Sequence, residues 1–276
     1  MVKKLVFFIY IGDYMPIDEY KVKYPTMALH LHLLQMYADV FDEAVFILSL
    51  KKELIGDKDL IAHYIRAIVD LGFYRNVKFK IEENTNFREC KAFKEEVVDN
   101  RDNDGKLVFF GHNKGTTNEY NESLIRLICS MYYFNLNFMD SVEWNLIADE
   151  ATFYGFPLLN AEWSEPDATC VMPLYKYFFY GTFFWTNWTV MNEIVTHKGR
   201  EYPKLASRFY AENFPANVAE LKTVGTYKNI YGLSGRNLHH DFDGFLDEYC
   251  GFMGESGEEI RKQFNEFVDR VKSLIS

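Results

Sequence analysis

A short stretch of this chain combines a histidine, a lysine and a glycine directly after an apolar run. It reads FFGHNKGTTN, residues 109–118, and it places His112, Lys114 and Gly115 ahead of threonine and asparagine residues that can cap a helix. Cationic side chains beside a helix N-terminus suit phosphate oxygens, because backbone N–H groups and the helix dipole both favour negative charge there. The pattern predicts a phosphate-binding loop. A capped loop with a solvent-facing lysine is the structural alternative.

The stretch YIGDY, residues 10–14, is the second candidate. Gly12 lets the backbone approach a ligand, and Asp13 can hold a ribose or a base edge, with Tyr10 beside them. A plain turn fits the same residues equally well. The chain contains neither G-x-G-x-x-G nor G-x-x-x-x-G-K-[ST], which argues against a dinucleotide fingerprint and excludes a P-loop.

A third stretch, LLNAEW (158–163), ends an apolar run with Asn160 and Glu162. Two carboxylates hold Mg²⁺ or Mn²⁺ beside a pyrophosphate better than one, and this stretch has only one. We therefore expect no metal cofactor, with Mn²⁺ or Mg²⁺ as the less favoured alternative. The two D-x-D strings, at 102–104 and 241–243, do not follow an apolar run, and we predict a solvated turn for each.

The placement of these stretches depends on the elements around them. Apolar runs of strand length alternate with helical patterns through the first half of the chain, which predicts an α/β fold with a mostly parallel sheet flanked by helices. Ligands bind beyond the carboxyl ends of the strands in such sheets, and all three candidate stretches are predicted to fall there. The predicted strands are 5–11, 44–50, 77–83 and 106–112, and the predicted helices are 25–39, 58–73, 87–100 and 119–138.

The second half of the chain is less regular. We predict a strand at 153–159, helices near 188–196 and 202–213, and a C-terminal amphipathic helix over 258–276. The chain has no internal repeats, low-complexity segments or obvious linkers, so one domain is the economical interpretation.

Composition limits the classes of partner and compartment. The chain has 276 residues and a formal charge of −10, which argues against nucleic acid as its main partner. Four widely spaced cysteines support neither a zinc site nor a disulfide framework, so we expect a reducing cytoplasm. The opening MVKKLVFFIYIG is predicted to be a buried strand rather than a signal peptide, and no apolar run is long enough to span a bilayer.

Nine aromatic residues crowd around Gly181 in YKYFFYGTFFWTNWTVMN, residues 175–192. A platform for a sugar and a buried strand pair both explain the rings. Successive side chains of a strand point to opposite faces, so the two interpretations can hold together. We expect most of these rings to be core and one or two to be functional.

The order of these motifs resembles a group of bacterial capsule and O-antigen glycosyltransferases with a GT-A-like, Rossmann-like fold. In that group a strand ends in a His-x-Lys-Gly-like motif. A short strand comes next, then an aromatic motif resembling H-F-x-G-N-F-W-W, and then an arginine and an Ala-Glu pair. This chain has GHNKGTTN, YGFPLLN, FFYGTFFWTN and RFYAENF in that order, so the resemblance covers residues 105–215. Tyr180 and Thr182 depart from the aromatic motif, and Asn-Ala-Glu stands at the D-x-D position.

The resemblance implies transfer of a sugar from a nucleotide-diphosphate donor to a glycan or lipid-linked glycan acceptor. UDP and galactose are the commonest choice in such systems. Residues 1–160 would form the nucleotide-sugar half, and residues 161–257 the acceptor half. His112 and Lys114, with helix N–H groups, would stabilise the leaving diphosphate. The implied donor-binding residues are Tyr10, Gly12, Asp13, His112, Lys114, Gly115, Asn160, Glu162 and Arg208.

Transfer also needs an acceptor side and, in an inverting reaction, a base for the acceptor hydroxyl. Glu212 in RFYAENF is our predicted base and Asp241 the second choice, with an exposed helix carboxylate as the structural alternative for Glu212. On the acceptor side, Gly181 would give clearance for a sugar, and Tyr180 or Trp185 would stack on its face.

A function without catalysis fits the same features. The aromatic content and the acidic charge also suit a carbohydrate-binding or scaffold protein of a polysaccharide locus. A transferase would respond to a nucleotide sugar, whereas a glycan-binding module would respond only to glycan, so ligand-induced stabilisation discriminates the two classes.

Overall fold

The computed structural model of the protein describes most of the chain. The described residues are 1–12, 25–73, 76–85, 89–113, 121–149, 151–160, 177–179, 181–197, 211, 214–215, 218, 224–229, 238 and 241–275.

The strands form one seven-stranded sheet and a separate pair. In chain order they are β1 (Val2–Ile11), β2 (Glu43–Leu50), β3 (Val77–Glu83), β4 (Lys106–His112), β5 (Phe153–Gly155), β6 (Leu158–Asn160), β7 (Tyr177–Phe179), β8 (Phe184–Asn187) and β9 (Val224–Gly225). The large sheet has the order β3-β2-β1-β4-β8-β5-β9, while β6 pairs with β7. Strands β1 to β4 are parallel, and β8 alone runs antiparallel to both of its neighbours in the described sheet.

Helices cover both faces of this sheet. They are α1 (Pro25–Met36), α2 (Lys58–Val69), α3 (Glu89–Phe93), α4 (Glu122–Leu136), α5 (Met139–Glu143), α6 (Trp188–His197), α7 (Phe242–Gly251) and α8 (Glu255–Ile275). Lys94–Val98 and Trp144–Ala148 are π-helical, and 3₁₀ turns occur at Ala38–Val40, Lys52–Leu54, Arg101–Asn103 and Tyr227–Asn229. The predicted α/β class with a mostly parallel sheet is confirmed.

Alternation along the strands divides the core in two. In β1, Leu5 and Phe7 join the hydrophobic cluster that contains residues of α1, α2, α4, α7 and α8, whereas Val6 and Phe8 join the cluster on the other face, with α3 and α6. Both faces are therefore covered. That is why the parallel strands appear in the sequence as continuous apolar runs rather than as alternating patterns.

The strand predicted at 153–159 is instead two short strands, β5 and β6. A cis peptide bond joins Phe156 to Pro157 between them, and the proline has no N–H to donate to a ladder. Gly155 ends β5 where a Cβ would lie 2.6 Å from the Phe179 ring. The strand partner changes at this point: β5 pairs with β8, and β6 pairs with β7.

The C-terminal helix is amphipathic, as predicted, and begins three residues earlier, at Glu255. Its apolar side, including Phe264, Phe267 and Val271, is buried against α1, α4 and α7. The Tyr133 ring of α4 lies 5.4 Å from the Phe264 ring and 5.0 Å from the Phe267 ring. Within the described part of the chain, no helix has the length and apolarity needed to cross a membrane.

Candidate functional site

The strand order reverses between β1 and β4. The chain passes from β1 to β2 and β3 on one side, and β4 then pairs with the other side of β1. Parallel strands open a crevice at such a switch point, beyond their carboxyl ends. Tyr10 and Ile11 end β1 at this position and Gly12 follows them, while His112 ends β4 and Asn113 follows it, with Phe8 opposite His112 in the register. We call this place the β1/β4 crevice.

The Asn113 side chain joins the two strand ends at the crevice. Its Oδ1 accepts a hydrogen bond from Tyr10 N at 2.9 Å, and its Nδ2 donates to Tyr10 O at 3.0 Å. Asn113 N also donates to Phe8 O at 3.1 Å, so the amide side chain extends the backbone ladder by one step. Sequence reasoning missed Asn113. The available signal was a polar amide directly after a buried strand.

His112 connects the end of β4 to the turn before β8. It is almost fully buried, and its Nε2 lies 2.9 Å from the Gly181 carbonyl oxygen. A carbonyl only accepts, so Nε2 carries the proton, and in the neutral ring the lone pair belongs to Nδ1. His112 therefore holds the turn that contains Gly181, 69 residues further along the chain.

The turn itself has unusual backbone angles. Gly181 has φ 80° and Thr182 has φ 58°, both in the left-handed region, where a β-branched residue such as threonine is strained. Thr182 is also fully buried, and its Oγ1 has no hydrogen-bond partner among the described residues. Strain and an unsatisfied hydroxyl at one residue beside a crevice are features that occur at functional sites.

Gly12 has a local reason to be glycine. A Cβ at this position would lie 2.9 Å from both the Tyr10 ring and the Tyr10 hydroxyl. The half-buried Tyr10 ring thus folds back over the backbone of Gly12, and it packs on the same hydrophobic cluster as Val6 and Phe8. The group that approaches Gly12 is the protein's own Tyr10 ring, and the predicted approach of a ligand stays a prediction.

A layer of buried side chains lies beneath His112. The Phe183 ring contacts the His112 ring at 5.9 Å, the His30 ring at 6.0 Å and the Tyr132 ring at 5.3 Å. His30 Nδ1 and Tyr132 Oη are 2.9 Å apart. Burial raises the pKa of Tyr132 well above its ordinary value, so the phenol stays protonated at neutral pH. This packed layer supports the crevice, and sequence reasoning did not identify His30 or Tyr132.

Trp185 lies in the core, away from solvent. Its side chain has no exposed surface, its Nε1 donates to Asn135 O at 2.9 Å, and its ring packs on Phe41 and Phe109 at 5.6 and 5.1 Å. An indole with no accessible face cannot stack on a sugar in this conformation. The predicted alternation of faces along β8 also holds, because the preceding residue, Phe184, belongs to the hydrophobic cluster on the other face of the sheet. The packing explanation of the aromatic stretch therefore accounts for Trp185.

Asp241 begins a helix that the sequence did not predict. Its Oδ1 accepts from Gly244 N at 3.2 Å, which caps α7, and the carboxylate is exposed. Asp243 pairs with Arg126 of α4, with Nε and Oδ1 2.6 Å apart. The string 241–243 is thus a helix start rather than the solvated turn we predicted.

The string 102–104 is a 3₁₀ turn with exposed aspartates, in line with the predicted solvated turn. Its middle residue differs from that prediction, because Asn103 is completely buried.

Several predicted site residues lie outside the described residues. Asn160 is the last residue of β6 and pairs with Tyr177. Within the described ranges, no three His, Cys, Asp or Glu side chains are grouped so that they could hold a metal ion. The residues whose surroundings are not described are Asp13, Lys114, Gly115, Glu162, Tyr180, Arg208 and Glu212, together with the predicted helix at 202–213.

Comparison with known proteins assigns no family. The chain matches no family model and no curated protein. The functional argument therefore depends on the β1/β4 crevice and on the sequence motifs that meet there.

Proposed function

We propose that the protein is a glycosyltransferase that moves a sugar from a nucleotide-diphosphate donor to a glycan acceptor in surface polysaccharide synthesis. The supporting observation is the meeting of two predicted donor stretches, Tyr10–Gly12 and His112, at the switch point of a mostly parallel sheet. Nucleotides bind at this place in open α/β sheets. In this proposal the sheet is a GT-A-like member of the Rossmann-like class.

The donor lies across the carboxyl ends of β1 and β4. Tyr10, Gly12 and Asp13 contact the nucleoside, and Lys114 with the backbone after His112 stabilises the diphosphate as it leaves. The imidazole of His112 holds the Gly181 turn through Nε2, so it shapes the crevice in addition to any contact with the donor. The remaining donor contacts are Gly115, Asn160, Glu162 and Arg208.

The acceptor hydroxyl needs a base on the opposite side of the donor sugar in an inverting transfer. Glu212 is our choice, and Asp241 is the second, since its carboxylate is exposed at the start of α7. Gly181 and Tyr180 form the acceptor side. Trp185 is left out of the proposed acceptor site because its ring is fully buried.

A nucleotide-sugar panel tests the donor class. UDP- and GDP-linked sugars are added singly, with EDTA or with Mn²⁺, and both the melting temperature and the release of free nucleotide are followed. Ligand at 100 times its Kd stabilises the folded state by about 2.7 kcal/mol, so a true donor raises the melting temperature measurably. We expect a UDP-sugar to stabilise the protein and to be turned over in EDTA. Stabilisation by glycan and by no nucleotide sugar would favour the carbohydrate-binding alternative.

Glu212→Gln separates a base from a bystander. Glutamine keeps the shape and the hydrogen bonds but cannot accept the proton, so we expect transfer to fall by about 10²-fold or more. Donor-induced stabilisation should stay unchanged. Glu258→Gln, at an exposed position of α8, is the matched control. A Glu212→Gln enzyme with near-normal kcat would remove Glu212 from this role and direct attention to Asp241 or Glu162.

A further inference from the structure

A cavity lies at the end of the sheet opposite the β1/β4 crevice. It has a volume of about 480 Å³ and lies between α5, the π-helical segment Trp144–Ala148 and the 3₁₀ turn at Tyr227–Asn229. We call it the Trp144 cavity. Its lining includes Phe138, Asp140, Ser141, Trp144, Tyr227 and Lys228.

The sheet topology separates this cavity from the β1/β4 crevice. Helix α4 follows β4 and runs back along the sheet, so its C-terminus at Leu136 lies near the amino ends of the parallel strands. The antiparallel β8 also ends there, with Asn187 opposite Leu107 at the start of β4. Asn187 Nδ2 donates to Leu146 O of the π-helical segment at 2.7 Å. A ligand in the Trp144 cavity is therefore remote from the proposed transfer site.

Aromatic rings form the apolar part of the lining. Phe138 and Tyr227 pack with their ring centroids 4.2 Å apart. Trp144 stands beside them with 63% of its surface exposed, in contrast to the buried Trp185 and Trp188. An exposed indole at the mouth of a cavity offers a ligand a flat apolar face on which a ring can stack.

Polar groups complete the lining. The Asp140 carboxylate is exposed and Ser141 is half-buried, while the exposed Lys228 ammonium lies 5.7 Å from the Tyr227 ring centroid. One carboxylate and one ammonium leave the lining with no net charge. The cavity is therefore unsuited to a polyanion, and its volume falls in the range of small-molecule sites.

Two backbone irregularities place these side chains. Trp144 opens a π-helical turn, and its N–H is shared between the carbonyls of Asp140 and Ser141. Lys228 has φ 58°, which is uncommon for lysine and turns its side chain relative to a helical path. Isolated π-helical turns and left-handed non-glycine residues both occur frequently at functional sites.

We propose that the Trp144 cavity binds a short segment of an uncharged glycan. One pyranose ring stacks with its C–H face on the Trp144 indole, and neighbouring hydroxyl groups bond to Asp140, Ser141 and Lys228. Alternating rings and polar groups suit a saccharide, which has an apolar face and a polar rim on every residue. Binding here requires no donor, so the proposal stands apart from the transfer chemistry and goes beyond it.

Linear neutral hexasaccharides of glucose, galactose and mannose are the probes, without nucleotide. Binding is followed by titration calorimetry and by tryptophan fluorescence, which reports the exposed Trp144. We expect at least one probe to bind, Trp144→Ala to weaken it about five- to tenfold, and Trp144→Phe to retain most of the affinity. Phe252→Ala, at an aromatic side chain 65% exposed outside the cavity, is the matched control and should bind as the unaltered protein does.

Asp140→Asn and Glu212→Gln complete the test. Asp140→Asn removes a charged hydrogen-bond acceptor and should lower the affinity for the hexasaccharide. Glu212→Gln should leave that affinity unchanged even though transfer is lost. Equal affinity in Trp144→Ala and the unaltered protein would overturn the proposal, as would failure of every neutral hexasaccharide to bind at millimolar concentration. Neither result bears on whether a nucleotide sugar is used at the β1/β4 crevice.

Discussion

Strands β1 and β4 lie side by side, and the polar groups at their two ends are arranged differently. At the amino end, Lys4 Nζ donates to Asn103 Oδ1 at 2.6 Å, and Asn103 Nδ2 donates to the carbonyls of Glu96 and Val97. At the carboxyl end, the neighbouring turn contains a strained threonine whose buried hydroxyl has no partner among the described residues.

The difference separates stability from function. Burial lowers the pKa of Lys4, and the buried Asn103 accepts a hydrogen bond from this amine and joins the π-helical segment Lys94–Val98 to β1. The carboxyl end combines strain with an unsatisfied buried hydroxyl, a combination that occurs at functional sites.

The largest expected effect is at the amino end. Asn103→Ala removes the acceptor of the buried Lys4 amine and leaves two buried carbonyls without that donor, so we expect unfolding in urea to require about 3 kcal/mol less. Nucleotide-sugar affinity in the folded variant should be unchanged. The double change Lys4→Met with Asn103→Leu leaves no buried amine without its acceptor, although the two carbonyls still lose their donor, so it should cost less than Asn103→Ala. An equal loss in the single and double variants would show that the unpaired amine is not the cause.

A smaller effect on stability, with a larger one on binding, is expected at the carboxyl end. His112→Ala removes the hydrogen bond to Gly181 and should cost about 1 kcal/mol of stability. Donor affinity, measured by calorimetry, should fall about tenfold, because the turn is no longer held and the cationic or polar ring is lost. His112→Gln can still donate to the Gly181 carbonyl. If it restores affinity, His112 acts by positioning the turn, and if it does not, the imidazole contacts the donor.

The smallest effect is a gain in stability. Thr182→Gly relieves the left-handed strain and removes the unsatisfied hydroxyl, which outweighs the extra chain entropy of glycine, so stability should rise by about 0.5–1 kcal/mol. Nucleotide turnover should fall if the strained turn shapes the crevice. Thr182→Val keeps the branched side chain and the strain without the hydroxyl, and thermal unfolding of both variants separates the two contributions. A less stable Thr182→Gly would show that packing of the buried threonine methyl group outweighs the strain.

Much of the first half could be predicted from the sequence. The bounds of β3 and β4 were predicted to the residue, since runs such as VKFKIEE and KLVFFGH are bordered by polar residues and turn signals. The same patterns placed YIG and GHNK at strand ends, where the structure joins Tyr10 to Asn113. Asn113 was missed because an amide that completes a ladder looks like any loop residue until its partner strand is known.

In the first half of the chain, the sequence by itself determined which segments are extended, which are helical and which residues follow the strands, because these properties depend on neighbours a few positions away. Tertiary structure decided which segments meet. The insertion of β8 between β4 and β5, the burial of Trp185, and the pairing of Lys4 with Asn103 across 99 positions all depend on long-range packing. A local pattern cannot specify such pairings, since an aromatic strand fits a core and a ligand platform equally well until the surfaces that cover it are known.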